Sequence, residues 1–288
     1  MIKCIASDMD GTLLNSTSGG ITEENKKAIL LAQSKGIEVV IATGRSYDEA
    51  IYLLEEAAIK CPVICVNGAE VRSKEGKVIS STPLNKEDAR EAASKLVENE
   101  VYFEVYTNKG KYSTDKEKSI SIIIDIVMSA SKSAIYDEAV KYAEERAEAI
   151  HLIENYEEVF VDESIHIYKF LAFSYDKERL DVVKHHLEGM EEIEVSSSGH
   201  ENLEITYKSA QKGIALEAFV REKGILLSET MAIGDNFNDV SMFKRVGRPV
   251  AMGNASEEIK QQCKFVTDTN ENSGVAKAIL EALESEKE

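Results

Sequence analysis

The chain has 288 residues, 43% of them hydrophobic and 30% charged, a length typical of about two domains. This composition excludes a disordered chain, and three prolines with 16 glycines exclude collagen and low-complexity classes. A net charge of −18 argues against partners that are themselves negative, namely nucleic acid and anionic membrane surfaces. No apolar run is long enough to cross a bilayer, and the first residues lack a signal-peptide pattern. The four cysteines show no CxxC or zinc spacing, so we expect reduced thiols in a cytoplasmic protein.

The first 80 residues alternate between strand and helix patterns. Apolar runs predict strands over residues 2–7, 38–42 and 62–66. Thr22 is placed to cap the first intervening helix, and Ser46 with Glu49 forms a capping box that opens the second. A hairpin is expected over residues 70–72 and 78–81. Strands separated by single helices predict right-handed βαβ units and a parallel sheet.

The pattern changes between residues 85 and 205, where helices and alternating strands are mixed. This segment holds 14 basic and 28 acidic residues, so most of the net negative charge lies in it. We expect an inserted α+β domain joined by linkers near residues 81–85 and 205–209. Its predicted helices cover 86–99, 117–130, 137–149 and 177–187, and its predicted strands cover 102–107, 165–173, 193–197 and 202–206.

The strand and helix alternation resumes after residue 205. A helix is predicted over residues 212–223, strands over 230–233 and 249–252, and a last helix on the apolar spacing of Ala276, Ile279, Leu280 and Leu283. The fold class is therefore α/β. We expect a Rossmann-like core with a parallel sheet, made of residues 1–84 and 208–288, with an α+β domain inserted over residues 85–207.

Polar residues gather where the predicted parallel strands end, the edge at which open α/β sheets bind ligands. Four acids, Asp8, Asp10, Asp235 and Asp239, are expected to point to one place and to repel each other unless a cation joins them. A hard divalent cation with oxygen ligands relieves that repulsion, and Mg²⁺ is the usual ion beside a phosphate. Lys212 adds a positive charge, Thr43 a hydroxyl donor, and Gly44 a close backbone approach. A carboxylate, a metal and a lysine beside a phosphate indicate nucleophilic attack on phosphorus through an aspartyl-phosphate.

These motifs together resemble the haloacid dehalogenase (HAD) superfamily. The resemblance rests on Asp8-x-Asp10-Gly11-Thr12-Leu13-Leu14, Thr43-Gly44-Arg45, Lys212-Gly213 and Gly234-Asp235-x-x-Asn238-Asp239. Their order and spacing are similar to those of Cof-type hydrolases, which carry a C2-type cap between the second and third motifs. The segments Asn67-Gly68-Ala69, Val250-Ala251-Met252-Gly253-Asn254-Ala255 and Gly274-Val275-Ala276 also look like that branch. The resemblance covers the whole chain and implies a HAD-type core, residues 1–84 and 208–288, with a C2 cap for substrate specificity over 85–207.

The resemblance also implies roles for the matching residues. Asp8 would be the nucleophile, and Asp10 would be the general acid that protonates the leaving oxygen and then the base that activates water. Asp8, the Asp10 backbone carbonyl and Asp235 would hold Mg²⁺, with Asp239 behind them orienting metal-bound water. The phosphoryl oxygens would be bound by Met9, Thr43, Gly44, Lys212 and Asn238.

Several residues keep a structural alternative at this stage. Arg45 either binds substrate or pairs with an acid of the core, and Asp239 either serves the metal or caps a helix. Asn67 either forms a turn or borders the active site, and Asn254 is expected to order the loop after its strand.

Three functions fit the sequence. The first is a Mg²⁺-dependent phosphatase acting on small phosphate monoesters, such as sugar phosphates or flavin and riboflavin-pathway phosphates, with a monomer as the favoured state. The second is a phosphomutase or phosphotransferase on sugar phosphates, which product analysis would separate from the first. The third is a non-catalytic, phosphate-binding regulator, against which the complete set of Asp8, Asp10, Lys212 and Asp235 argues.

Overall fold

The structure, a computed structural model, describes residues 1–130, 135–197 and 201–285. Its strands in chain order are β1 Cys4–Ser7, β2 Glu38–Ala42, β3 Val63–Cys65, β4 Glu70–Arg72, β5 Val78–Ser81, β6 Tyr102–Thr107, β7 Gly110–Ser113, β8 Ile150–Leu152, β9 Ile167–Phe173, β10 Ile193–Ser196, β11 Asn202–Tyr207, β12 Thr230–Gly234, β13 Arg248–Ala251 and β14 Phe265–Val266. Its α-helices are α1 Glu23–Ser34, α2 Tyr47–Glu56, α3 Lys86–Glu98, α4 Lys116–Ala130, α5 Tyr136–Glu148, α6 Glu157–Val161, α7 Lys177–Leu187, α8 Lys212–Glu222, α9 Val240–Phe243, α10 Glu257–Lys260 and α11 Gly274–Glu284.

The chain divides into two compact units. The first unit comprises residues Met1–Thr82 and Ser209–Glu288, and the second comprises Pro83–Lys208. Each unit has its own sheet and its own buried apolar cluster. Each can therefore be described by itself.

The sheet of the first unit has the strand order β14-β13-β12-β1-β2-β3-β4-β5. The pairs from β14 to β3 are parallel, whereas β4 and β5 are antiparallel additions at one edge. The order reverses at β1, which lies between β12 and β2. Open α/β sheets form a crevice at such a reversal, outside the carboxyl ends of the strands.

Sequence signals for local structure in the first unit are confirmed. The Thr22 hydroxyl accepts a hydrogen bond from the Asn25 amide at the start of α1, and Ser46 and Glu49 form the expected capping box at the start of α2. Strands β1, β2 and β12 are apolar and almost fully buried, as strands with helices on both faces should be. These buried strands form a rigid base for the loops that follow them.

The second unit contains a sheet of order β10-β11-β9-β6-β7-β8, antiparallel except between β7 and β8. Its two faces differ because side chains alternate along each strand. Phe103, Val105, Phe170 and Ile205 belong to a buried apolar cluster with residues of α3, α6 and α7. The opposite face carries polar residues, including a cross-strand row formed by Lys111, Tyr106, Lys169 and Thr206.

Some predicted bounds were wrong at the ends of elements. The strand expected over 165–173 begins at Ile167, and the strand expected over 2–7 begins at Cys4. The short strands β7, β8 and β14 and the helices α6, α9 and α10 were missed altogether, because two to five residues carry too little periodicity to be recognised. None of these errors displaces a polar loop at the edge of the first sheet.

Candidate active site

The carboxyl ends of the central strands bring polar residues together in the first unit. Asp8 directly follows β1, Thr43 follows β2, and Asp235 follows β12. The Asp8 amide donates to the Ile233 carbonyl of β12, and the Thr43 amide donates to the Ile64 carbonyl of β3, so both loops start from paired backbone. Parallel pairing thus holds these loops at one edge of the sheet.

A buried lysine lies between two buried carboxylates. Lys212 is the first residue of α8 and is fully buried, and its Nζ lies 2.6 Å from Asp8 Oδ1 and 2.8 Å from Asp239 Oδ1. Burial opposes the charge of the Lys212 ammonium, but Asp239 and Asp8 outweigh burial and raise the pKa of this lysine. An ammonium that stays charged out of contact with water is a fixed positive charge beside Asp8.

Asp239 also organises the turn that carries Asp235. Its second oxygen, Oδ2, accepts hydrogen bonds from the backbone amides of Asp235 and Asn236 at 3.0 and 3.1 Å. A Cβ at Gly234 would overlap the Asp239 carboxyl group, so this close approach requires glycine at position 234. Asp239 therefore acts as a cap of the turn and as a partner of Lys212 at the same time.

Three carboxylates come together beside this lysine. One oxygen from each of Asp8, Asp235 and Asp239 lies within 4.8 Å of the others. Burial, followed by the charge of Asp239, raises the pKa of Asp8 well above its usual range and raises the pKa of Asp235 to about 6. One ammonium among three carboxylates leaves an excess of negative charge, which a hard cation with oxygen ligands would neutralise. These residues therefore fit a Mg²⁺ ion.

The fourth acid departs from the sequence expectation. The Asp10 carboxylate accepts two hydrogen bonds from Arg45, at 2.8 Å from Nε and 2.6 Å from Nη2, and its side chain is about half exposed. It is not a member of the carboxylate cluster formed by Asp8, Asp235 and Asp239. The expectation that all four acids point to one place was therefore wrong for Asp10. Of the two alternatives for Arg45, the structure contains the ion pair with an acid of the core.

The remaining candidate residues lie in the loops that follow β1, β2 and β12. Thr43 is fully buried, and its hydroxyl accepts from the Arg45 amide at 3.1 Å. Asn238 donates from Nδ2 to Asn67 Oδ1 at 3.1 Å, and a Cβ at Gly44 would lie 3.2 Å from that same Asn67 oxygen. The loops after β2, β3 and β12 thus meet at Asn67. Met9 is fully buried, which leaves its backbone as the part that could bind a phosphoryl oxygen.

Sequence reasoning assigned no role to Thr12, although it quoted this residue in the first motif. The Thr12 hydroxyl donates to Asp235 Oδ1 at 2.8 Å. Gly11, beside it, has a positive φ of 72°, and a Cβ there would overlap the Asp235 carboxylate. The Asp-Gly-Thr run therefore packs directly against the acid that follows β12. The Asp-Gly-Thr motif was recognisable in the sequence, but the contact between Thr12 and Asp235 is apparent only from the fold.

Comparison with known proteins identifies the family. A model of the haloacid dehalogenase-like hydrolases matches residues 5–279. Phosphatase YwpJ of Bacillus subtilis (strain 168) is 36% identical over 282 residues, which cover 96% of this chain and 98% of that protein. The 5-amino-6-(5-phospho-D-ribitylamino)uracil phosphatase YwtE of the same organism is 37% identical over 285 residues and 98% of both chains.

A solved structure agrees with the sequence comparison. The structure of a haloacid dehalogenase-like hydrolase from B. subtilis superposes with a TM-score of 0.86 at 35% identity, over 97% of this chain and 99% of that one. Within the described residues, no helix combines the length and apolar character needed to span a membrane. The enzyme described here belongs to the haloacid dehalogenase-like hydrolases.

Proposed function

We propose that this hydrolase is a Mg²⁺-dependent phosphatase of small phosphorylated metabolites that works through an aspartyl-phosphate on Asp8. One observation carries the proposal: a buried carboxylate, Asp8, lies 2.6 Å from a buried ammonium and shares a carboxylate cluster with Asp235 and Asp239. This set combines a nucleophile, a fixed positive charge for phosphoryl oxygens and a cation site.

In the first half-reaction, an Asp8 oxygen attacks phosphorus, and the bond between phosphorus and the ester oxygen breaks. The leaving oxygen takes a proton from the Asp10 carboxyl group, so an alcohol departs and Asp10 becomes a carboxylate. Both Asp10 oxygens contact Arg45 in this structure, so the Asp10 side chain has to exchange one of these contacts for the leaving oxygen.

In the second half-reaction, water attacks the phosphorus of the aspartyl-phosphate. Asp10 accepts a proton from that water, the bond between Asp8 and phosphorus breaks, and inorganic phosphate is released. Both catalytic groups return to their starting forms, so the cycle balances.

Mg²⁺ would be held by Asp8, by the Asp10 backbone carbonyl and by Asp235, and when bound it would neutralise charge on the transferring phosphoryl group. We assign the phosphoryl oxygens to Thr43, Lys212, Asn238 and the backbones of Met9 and Gly44. Asp239 keeps Lys212 in place and holds the turn that carries Asp235. All of these residues belong to the first unit, which we propose as the catalytic core.

We propose that the second unit is a cap that selects the organic part of the substrate. Its polar sheet face contains Lys111 and Lys169, whose Nζ atoms lie 5.0 and 4.7 Å from the centre of the Tyr106 ring. Lys169 also pairs with Glu204 at 3.3 Å. Cations, a phenol and a carboxylate on one face suit a polar group such as a sugar or a ribityl chain. The substrate named for the relative YwtE, a phosphorylated ribitylaminouracil, belongs to that class.

The first experiment is phosphate release from a panel of sugar, flavin and riboflavin-pathway phosphates, with Mg²⁺ and with chelator. Asp8→Asn should lower kcat at least about 1,000-fold, because the nucleophile is lost. Asp268→Asn is the matched control, since Asp268 pairs with Lys277 on the same unit and should leave kcat unchanged. Phosphate release that needs neither Asp8 nor Mg²⁺ would refute the proposal.

Product analysis separates hydrolysis from transfer in the same assay. A phosphatase releases one inorganic phosphate for each ester consumed, whereas a mutase moves the phosphoryl group to a second hydroxyl group and releases none. Transfer in place of release would refute hydrolysis while leaving the role of Asp8 intact.

The selectivity proposal has its own variant pair. Lys169→Met should lower kcat/KM several-fold for the best metabolite and much less for p-nitrophenyl phosphate, which lacks the polar group. Lys184→Met changes an exposed lysine of α7 and is the control. Equal losses for both esters with Lys169→Met would contradict a role of this face in selectivity.

A further inference from the structure

The loop after β1 is held from outside by three asparagines. Asn254 Nδ2 donates to the Gly11 carbonyl at 2.8 Å, Asn25 Nδ2 to the Leu13 carbonyl at 3.1 Å, and Asn270 Nδ2 to the Leu14 carbonyl at 2.9 Å. Three of the four backbone carbonyl groups of residues 11–14 thus accept a hydrogen bond from an asparagine side chain. None of these asparagines belongs to the carboxylate cluster or to the phosphate-binding set.

Two of these asparagines also bind the C-terminal part of the chain. Asn254 Oδ1 accepts from the Asn270 amide at 3.0 Å, and Asn25 Oδ1 accepts from the Ala276 amide at 2.9 Å. Each such side chain therefore bridges two backbones, since an amide donates through nitrogen and accepts through oxygen. Asn25 and Asn270 are buried, so water does not compete for their hydrogen bonds.

The segment bonded by these asparagines, residues 11–14, adjoins Asp10 and contains a residue that contacts Asp235. Gly11 directly follows Asp10, and Thr12 contacts Asp235. The Gly11 backbone packs so closely on the Asp235 carboxylate that a Cβ would not fit. A change in the path of the backbone at Gly11 would therefore alter the positions of its two neighbours, Asp10 and Thr12.

We propose that Asn25, Asn254 and Asn270 are positioning residues that hold the Asp10-Gly11-Thr12 segment in its reactive geometry. This inference rests on the proposed function for the role of Asp10 and gives a task to Asn254, Asn270 and the Ala276 amide, which the reaction itself does not use. A side-chain amide that donates a hydrogen bond to a backbone carbonyl group fixes the orientation of that peptide plane. Supporting hydrogen bonds act in the same way around catalytic and metal-binding groups.

The test compares Asn254→Ala with Asn272→Ala. Asn254 is exposed, so its truncation leaves the buried core unchanged, whereas Asn272 lies in the same C-terminal region and bonds to Asp268 instead of the β1 loop. For the alkyl phosphate that the wild type hydrolyses fastest, Asn254→Ala should lower kcat/KM, which reports the first half-reaction, about 10-fold. For p-nitrophenyl phosphate, whose leaving group departs without a proton, the loss should be clearly smaller. Asn272→Ala should match the wild type with both esters.

A second readout does not depend on activity. The Leu14 amide donates to the Met9 carbonyl at 2.9 Å and closes the turn, so its hydrogen exchange reports on opening of the segment. Exchange of a peptide spanning residues 9–16 should be faster in Asn254→Ala than in the wild type or in Asn272→Ala, measured without metal or substrate. A protein that hydrolyses no ester would refute the proposed function, while this exchange would still decide the inference.

Asn254→Asp covers the case in which the alanine variant does not fold. The aspartate keeps an oxygen for the Asn270 amide but has no donor for the Gly11 carbonyl, so it should reproduce both the faster exchange and the dependence on leaving group. Unchanged exchange, or an equal loss of kcat/KM with both esters, would overturn the inference.

Discussion

The two units bury charged groups in different ways. In the first unit, Lys212 is fully buried between Asp8 and Asp239, with both contacts below 3 Å. In the second unit, Lys111 and Lys169 share the ring of Tyr106, and Glu104 is the only buried acid among the residues described for that unit. The Glu104 carboxylate accepts hydrogen bonds from two hydroxyl groups, that of Ser119 at 2.6 Å and that of Tyr102 at 3.3 Å.

The difference concerns how tightly stability and chemistry are coupled. Removal of one member of a closely bonded buried cluster leaves an uncompensated charge, which is costly. A lysine over an aromatic ring contributes less, and the loss of Lys169 would also remove its single, longer ion pair with Glu204 at 3.3 Å. The buried charges of the first unit are therefore tied more closely to its stability than those on the polar face of the second unit.

The largest effect is expected for Lys212→Met. Loss of the ammonium leaves Asp8 and Asp239 facing each other in a buried site, which should lower the free energy of unfolding by about 3 kcal/mol without metal and kcat at least about 100-fold. Mg²⁺ should restore part of the stability, because it neutralises the same carboxylates. Denaturant unfolding with and without Mg²⁺ measures this effect.

Lys223→Met is the control for this variant. Lys223 follows the same helix, α8, but lies at the surface and pairs with Glu38 at 3.1 Å, so its loss should cost less than about 1 kcal/mol and leave kcat unchanged. Equal destabilisation by the two variants would contradict the distinction between clustered and exposed charge.

A smaller effect is expected for Gly11→Ala, and the chain offers a close control. Gly11 and Gly19 have φ values of 72° and 71°, so alanine should cost roughly 1 kcal/mol of backbone strain at either position. Only at position 11 would the new Cβ meet the Asp235 carboxylate, because nothing lies within 4 Å at position 19. Gly19→Ala should therefore lose stability through backbone strain alone, whereas Gly11→Ala should lose somewhat more stability and also activity. A loss of activity in Gly19→Ala would place the cause in backbone strain alone.

The same contrast explains what the sequence could predict. Asp8, Thr43 and Asp235 were placed at one edge because each follows a buried strand, and the carboxyl ends of parallel strands meet there. Caps such as that formed by Ser46 and Glu49 are local in sequence and were equally readable.

Other features depend on residues far apart in sequence. The Asp10–Arg45 ion pair and the hydrogen bond between Asn254 and the Gly11 carbonyl join positions 35 and 243 residues apart, so no local pattern contains them. In the second unit, the face to which Lys169 belongs follows from strand register, which changes sides with a shift of one residue. The polar face was therefore not identifiable from the sequence.

A third, smaller effect concerns Glu104→Gln in the second unit. The substitution keeps one oxygen for Ser119 but removes the negative charge that strengthens both hydroxyl hydrogen bonds, so the free energy of unfolding should fall by about 1 kcal/mol. Mg²⁺ should not restore this loss, in contrast to Lys212→Met. The exposed Glu117 of α4 provides the control, Glu117→Gln. Recovery of Glu104→Gln by Mg²⁺ would show that the two units do not differ in this way.

The smallest effect should be the same in both units, because it comes from surface carboxylates. Hydrogen bonds hold the pKa of Asp268 at about 2, with the Lys277 side chain as the main donor, and hold the pKa of Asp162 at about 2, with the Ser164 hydroxyl as the main donor. A carboxyl group whose pKa is lower in the folded protein stabilises it above the ordinary pKa of about 4, and this contribution is lost as pH falls towards 2. Asp268→Asn and Asp162→Asn should therefore be less stable than the wild type at pH 6, and the gap should close between pH 4 and pH 2 in urea unfolding. A gap that widens on acidification, in either unit, would mean that these carboxylates are not held in their charged form.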